Sequence, residues 1–426
     1  MIIKNIIKNL DDNIFPKVIR IKQKYISYKV EDIGLAIDQG MLKKNIKAKI
    51  KPGMSIAVGV GSRGIANLLE IIKDVVGIIK ECGANPFVIP AMGSHGGATA
   101  EGQKKVLASY GITEDNLGVP IKSSMEVIEI AKYKRKVPVY FDKNALGADG
   151  IVPINRVKIH TDWHGEIESG LLKMLVIGFG KHKGATEIHS LGMENFHKVI
   201  PEVGTIIIDK VPVIFGVACI EDAYDQTAEI RVLLPKEFYF QEKDMLKRSK
   251  KNMAKIKIPQ IDILIIEEIG KDISGCGLCP NIIGRYRGKQ KSDIKAPDIK
   301  QVVILRLTKK THGNANGLGY GDIITKELFD SIDFVSTYTN AITANALSGV
   351  RVPLIANSDK EAIGLALSII KKRASDVKLV RIKNTSKLDE IIVSESICRD
   401  IRNKKCFKID ENGFKKLKFD KSGRLI

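Results

Sequence analysis

The stretch Ser55–Val60 (SIAVGV) is apolar after its first residue and reads as a strand. It gives way to Gly61-Ser62-Arg63-Gly64. Apolar residues then recur at Ile65, Leu68, Leu69, Ile72, Val75, Val76 and Ile79, the three-and-four spacing of a helix, and Gly83 closes it. A second strand at Pro86–Pro90 leads into the loop Ala91-Met92-Gly93-Ser94-His95-Gly96-Gly97. A helix over Thr99–Tyr110 comes next, closed by Gly111. Strand, loop and helix repeated in this order predict an α/β fold with a largely parallel sheet. Ligands in such sheets bind outside the carboxyl ends of the strands, where Arg63 and His95 stand in successive units.

Further strands are predicted at 127–131, 137–141, 150–154, 205–208 and 213–220. A helix begins near Ser169, and residues 235–258 form a charged helical connection. The pattern restarts with strands at 261–267, 301–307, 353–356 and 377–382, and a helix at 360–372. The expectation is therefore two α/β domains with largely parallel sheets, residues 1–245 and 246–426, with an active-site cleft between them.

Length and composition fit this division. A chain of 426 residues, 44% hydrophobic and 28% charged, has enough apolar material for two cores. Its net charge of +20 invites a nucleic-acid reading. However, the lysines spread from Lys4 to Lys421 with few aromatics among them, so no nucleic-acid partner is expected. The positive field would instead draw in a small carboxylate. There is no apolar run of about 18 residues, so no membrane span is expected. The opening residues lack the pattern of a signal peptide, which makes the cytoplasm the expected compartment. The six cysteines are dispersed, and Cys276-Gly-Leu-Cys279 is an isolated pair, a weak metal or redox signal.

The chemistry concentrates elsewhere. Five of the seven histidines fall within residues 160–197: His160, His164, His182, His189 and His197. They surround the single tryptophan, Trp163, and the run Gly170-Leu171-Leu172-Lys173. Histidine is both the common metal ligand and the common base near neutral pH. Apolar neighbours (Leu171, Leu172, Met174, Leu175) favour an uncharged, nucleophilic lysine at 173. A solvated helix lysine is the plain alternative. Lys173 and His189 are sixteen residues apart, about 24 Å along one straight helix. Gly178, Gly180 and Gly184 argue for a break near Ile177–Gly180 that folds the chain back and brings the two into one pocket. Gly59-x-Gly61 lacks the third glycine spacing and the subsequent acid of a dinucleotide site. The helix start beside Arg63 remains suited to a carboxylate or phosphate.

This constellation resembles the nickel-dependent lactate racemase family, over residues 55–200 at the level of motifs. In that family a lysine carries a covalently attached nickel-pincer nucleotide (a nickel pyridinium bis-thiocarboxylate mononucleotide). A histidine sixteen residues later ligates the nickel. Lys173 and His189 match these roles, His189 being the implied metal ligand. Arg63 matches the arginine that binds the substrate carboxylate. His95, in Gly93-Ser94-His95, matches one catalytic acid/base. The second acid/base is His160 or His164, thirteen and nine residues before the lysine against a family spacing of ten. His160 is preferred because it directly follows the predicted strand region, so that Thr161–Gly165 can be an insertion. Gly170-Leu171-Leu172-Lys173 also replaces the family's Gly-Gly-Arg-Lys, which marks a divergent branch.

The resemblance implies racemisation or epimerisation of a small 2-hydroxyacid by proton-coupled hydride transfer, with separate maturation enzymes supplying the cofactor. Two other classes stay open: a protein that binds a small anion or nucleotide without catalysis, and a zinc-dependent hydrolase using the 160–189 histidines. In the second half, the loop Thr308–Asp322 with His312, Ser274-Gly275 and Asn281–Arg285 could close the pocket. Lys309, Lys310 or Arg285 would then meet the substrate. The residue pattern leaves the oligomeric state and the particular hydroxyacid open.

Overall fold

A computed structural model describes residues 12–62, 64–286, 292–343 and 346–426. The chain divides into two compact units, Ile26–Met253 and a second made of the segment up to Tyr25 together with Ala254–Ile426. The boundary expected at 245/246 falls inside the helix Phe238–Asn252, which belongs whole to the first unit.

The first unit is built on a five-stranded sheet among the described residues. Its order is Asn85–Pro90, Ser55–Val60, Gly150–Arg156, Gly216–Glu221 and Thr227–Leu233. The first four are parallel, and only the edge strand Thr227–Leu233 runs antiparallel. Both faces of the sheet are covered. Ile56, Val58 and Val60 enter one hydrophobic core, while Ala57 enters the other. The continuous apolar run at 55–60 is the sequence imprint of this burial. Gly59 faces the Phe179 ring so closely that a Cβ there would lie 2.2 Å from Cζ. Packing of Phe179 accounts for this glycine, with no phosphate loop needed.

Several sequence expectations are corrected. Residues 205–208 (TIII) were expected as a strand, because a β-branched run favours one. They lie instead in the helix Phe196–Lys210. The wider spacing decides: Phe196, Val199, Ile200, Val203 and Ile207 are all buried on one helical face. Strands Val127–Tyr133 and Val137–Asp142 form a separate antiparallel hairpin and do not join the main sheet.

The second unit has a nine-stranded sheet among the described residues. Its parallel part runs Leu354–Ala356, Ile323–Thr325, Asp298–Leu307, Gln260–Ile269 and Leu379–Ile382. Antiparallel strands Glu390–Ser394, Lys17–Gln23 and Phe407–Ile409 extend it, and the short Lys415–Lys416 pairs with Lys17–Gln23 as the ninth. Lys17–Gln23 therefore sits between two C-terminal strands, which is why the start of the chain belongs with its end. Among the described residues no helix is long and apolar enough to cross a membrane.

Candidate active site

In the first unit, chemistry-bearing residues gather after the carboxyl ends of the parallel strands. Arg63, in the loop after Ser55–Val60, lies outside the described residues. His95 comes after Asn85–Pro90. His160, Trp163, His164 and Lys173 come after Gly150–Arg156.

The helix carrying Lys173 is broken where the glycines predicted. A short turn, Leu171–Lys173, passes into a π-helical segment, Met174–Gly178, before the helix Lys181–His189. A π-bulge inserts one extra residue per turn and re-aims the next stretch of helix, and such bulges are common at functional sites. Gly178 permits the break. A Cβ there would lie 2.6 Å from the Ala91 carbonyl oxygen, and the Gly178 carbonyl accepts from the Gly93 N–H at 3.0 Å. The loop bearing His95 thus packs on the segment between Lys173 and His189.

Around this segment His160, Lys173 and His189 come within electrostatic reach. Burial, then the Lys173 charge, then Lys158, His164 and His189 hold the His160 imidazole well below its ordinary value. Burial likewise lowers His189; the Lys173 charge adds to this and the Ala185 carbonyl opposes it. An aromatic wall joins them. His160 stands 5.3 Å from Trp163, Trp163 5.8 Å from Phe196, and Phe196 5.2 Å from His189, all between ring centroids. Trp163 is fully buried and Lys173 is half-buried among the buried Leu171, Leu172, Met174 and Leu175.

Hydrogen bonds fix which nitrogen of each ring is presented. His189 Nδ1 donates to the Ala185 carbonyl at 2.6 Å, leaving Nε2 with the lone pair. His95 Nδ1 donates to the Met92 carbonyl at 2.8 Å, with the same result. His160 is opposite: Nδ1 accepts from the Asp162 N–H at 3.1 Å, so the neutral ring carries its hydrogen on Nε2. His164 is held at 3.2 Å from Glu168 Oε2.

Sequence reasoning missed the residues that hold this arrangement. Glu168, buried, accepts from the His160 N–H at 2.6 Å and pairs with Lys250 at 3.1 Å. Glu242, on the helix Phe238–Asn252, receives the Leu171 N–H and, at 3.4 Å, the Leu172 N–H. Asn155 Nδ2 donates to the Gly170 carbonyl at 2.8 Å. These are single polar residues, and no local pattern announces them.

His182 is exposed and His197 bonds the Glu194 carbonyl at 2.8 Å, and neither has a matching role in the resemblance. In the second unit, Arg285 is engaged within its own unit. It bonds the Tyr320 carbonyl at 2.8 Å and Asp322 at 2.7 Å, clamping the 308–322 loop. His312, Lys309 and Lys310 are exposed on that loop. Among the described residues no group of three or more His, Cys, Asp or Glu side chains is placed to hold a metal ion, so the three-histidine zinc arrangement is not assembled. A cavity of about 600 Å³ opens beside Gly64, with Glu70, Asp74 and Tyr110 in its wall. Lys73 also lines it, so its wall mixes acidic and basic groups.

Comparison with known proteins gives a fold and no curated relative. Residues 50–233 match the family described as a domain of unknown function (DUF362). No curated protein matches. The solved structure of the lactate racemase apoprotein from Thermoanaerobacterium thermosaccharolyticum is similar, with a TM-score of 0.55 and 11% identity. That match covers 89% of this chain and 96% of the other. A structural-genomics protein from Thermotoga maritima matches with a TM-score of 0.49 and 13% identity, covering 82% of this chain and 96% of that one. The chain is thus a mixed α/β protein with a fold like that of lactate racemase, at a distance where the likeness is one of fold.

Proposed function

We propose that the chain is a racemase or epimerase of a small 2-hydroxyacid, working with a nickel-pincer nucleotide attached through Lys173. The observation that supports this reading is that His160, Lys173 and His189 lie within electrostatic reach beside the π-helical segment, with His189 Nε2 left as a lone-pair nitrogen. His189 would hold the metal of that group through Nε2, the nitrogen that its bond to the Ala185 carbonyl leaves with a lone pair. Lys173 would hold the group by its amine. When bound, the group supplies a two-electron acceptor and donor beside carbon 2 of the substrate, chemistry no side chain offers.

The chain's own residues do the rest. Arg63 would hold the substrate carboxylate and fix the plane in which carbon 2 reacts. His95, with Nε2 unprotonated, is ready to take the hydroxyl proton of one enantiomer. His160 serves the other enantiomer. Burial keeps it neutral, as a base must be, and it would take a hydroxyl proton at Nε2 only after its own hydrogen has moved to Nδ1 and the bond from the Asp162 N–H is given up. Its ring faces Trp163 and feels Lys173, whereas His164 is held against Glu168, which favours His160 for the role. The histidine that takes the hydroxyl proton of one enantiomer becomes an imidazolium and must lose that proton before the next turnover. The aromatic wall keeps bulk water from the planar 2-oxo acid between the two half-reactions.

The test is intact-mass analysis of protein matured in its native host, together with racemisation assays on single enantiomers of small 2-hydroxyacids. Wild type is expected to carry a nucleotide-sized adduct and nickel, and Lys173→Ala neither. His95→Ala and His160→Ala are expected to keep the adduct and lose turnover by at least about 10²-fold. Equal adducts in wild type and Lys173→Ala would sink the reading.

A further inference from the structure

The helix ending in His189 begins at a lysine buried without any exposure. Lys181, Asp142 and Gln103 are each 0% exposed. Lys181 also has φ +52°, a conformation that costs a lysine and is kept only where its surroundings demand it.

Its ammonium meets three acceptors: Asp142 Oδ2 at 3.1 Å, Gln103 Oε1 at 3.2 Å, and the Pro90 carbonyl. Burial works against both charges, drawing Lys181 down and Asp142 up, and each is the main offset for the other. An ammonium can only donate. Gln103 must therefore turn Oε1 toward Lys181, and its amide N–H groups then face the other way. There Nε2 donates to the Gly93 carbonyl at 2.9 Å and to the His95 carbonyl at 3.3 Å. Without exposure to water, the flipped amide has no substitute partners.

We propose that Lys181 and Gln103 are positioning residues that set the seat of His95 by fixing the direction of this hydrogen-bond relay. One buried charge then ties the loop bearing His95 to the first residue of the helix bearing His189, so the two are registered to each other. The part played in turnover rests on the racemase reading; the positioning does not.

Gln103→Glu tests it with little change in shape. A carboxylate satisfies Lys181 as well as the amide does, but cannot donate to the two loop carbonyls. Lys181→Gln is the second variant; it removes the donor-only end and frees the direction of the Gln103 amide. The measurements use the full-length chain without cofactor. They are hydrogen exchange across residues 92–99 and the nitrogen chemical shifts of the His95 ring, which report its tautomer. We expect loop exchange about tenfold faster or more in Gln103→Glu, with a mixed His95 tautomer and unchanged exchange in Ser55–Val60 and Gly150–Arg156. Should Gln103→Glu fail to fold, the same change is expected in Lys181→Gln. Loop exchange and ring tautomer equal to wild type in the folded variants would overturn the proposal. In matured enzyme kcat is expected to fall while KM holds, because Arg63 is untouched. If the loop loosens while wild type racemises no 2-hydroxyacid, the functional reading fails and the positioning stands.

Discussion

The residues that would do chemistry are held by residues that do none, and Glu168 shows the cost of losing one. Its carboxylate is shared between the His160 N–H, the His164 ring and the Lys250 ammonium. Removing it strips a partly buried cation and a partly buried N–H of this partner at once. Glu168→Ala is expected to cost about 3 kcal/mol, the usual penalty for breaking a buried pair from one side. Glu168→Gln, which still accepts from His160, is expected to cost less. Urea midpoints at unchanged slope would measure both, and equal midpoints for wild type and Glu168→Ala would refute the account. At this scale the sequence is readable where a reactive type stands in a glycine-rich loop, as at His95, or at a telling spacing, as at Lys173 and His189. It is unreadable for Glu168, Glu242, Gln103 and Lys181. Each is an ordinary charged or polar residue in a helix or loop, and each acquires its meaning from a partner brought near only by the fold, such as Asp142 for Lys181.

Among elements, the turn Leu171–Lys173 is too short to be stable alone, and its first N–H groups have no partners within it. Glu242 supplies an acceptor from another helix. Burial pushes the Glu242 carboxyl up to about 8, against the downward pull of the Leu171 and Leu172 N–H groups. That upward shift sets the sign of the pH effect. Unfolded, the group ionises near 4.5; folded, it holds its proton to about 8. Its contribution to stability is full below pH 4.5 and is lost as pH rises to about 8, at up to ~1.4 kcal/mol per pH unit. Glu242→Gln keeps an acceptor and removes the ionisation. The difference in stability between variant and wild type is expected to grow in favour of the variant from pH 5 to about 8 and then level off. Urea titrations of cofactor-free protein across that range would show it. A constant difference would mean that Glu242 is ionised in the folded state. Element types were largely legible from periodicity. The helix over 205–208 was not, because three isoleucines in a row mask the helical spacing that Val199, Val203 and Ile207 continue.

For the whole molecule, alternation within a parallel α/β pattern foretold the two sheets, but not the return of the chain's start to its end. Lys17–Gln23 shows burial on alternate residues over most of its length, as an antiparallel strand should. Its partners lie more than 360 residues away: Val18 opposite Ser394, and Ile21 opposite both Ile391 and Ile409. No local signal carries a pairing of that range. This strand bridges Glu390–Ser394 and Phe407–Ile409, so deleting residues 1–25 leaves both without a neighbour on that side. The loss should fall on the second unit alone, because the sheet of the first draws all its strands from residues 55–233. Hydrogen exchange on the truncated chain is expected to show lost protection in 390–394 and 407–409, with Ser55–Val60, Gly150–Arg156 and the Lys181–His189 helix protected as in the full chain. Uniform loss across both units would show that they unfold as one. The selective outcome would mean that the residues proposed to bind cofactor and substrate keep their arrangement when the second unit is weakened, as a site built on the first unit's own sheet requires.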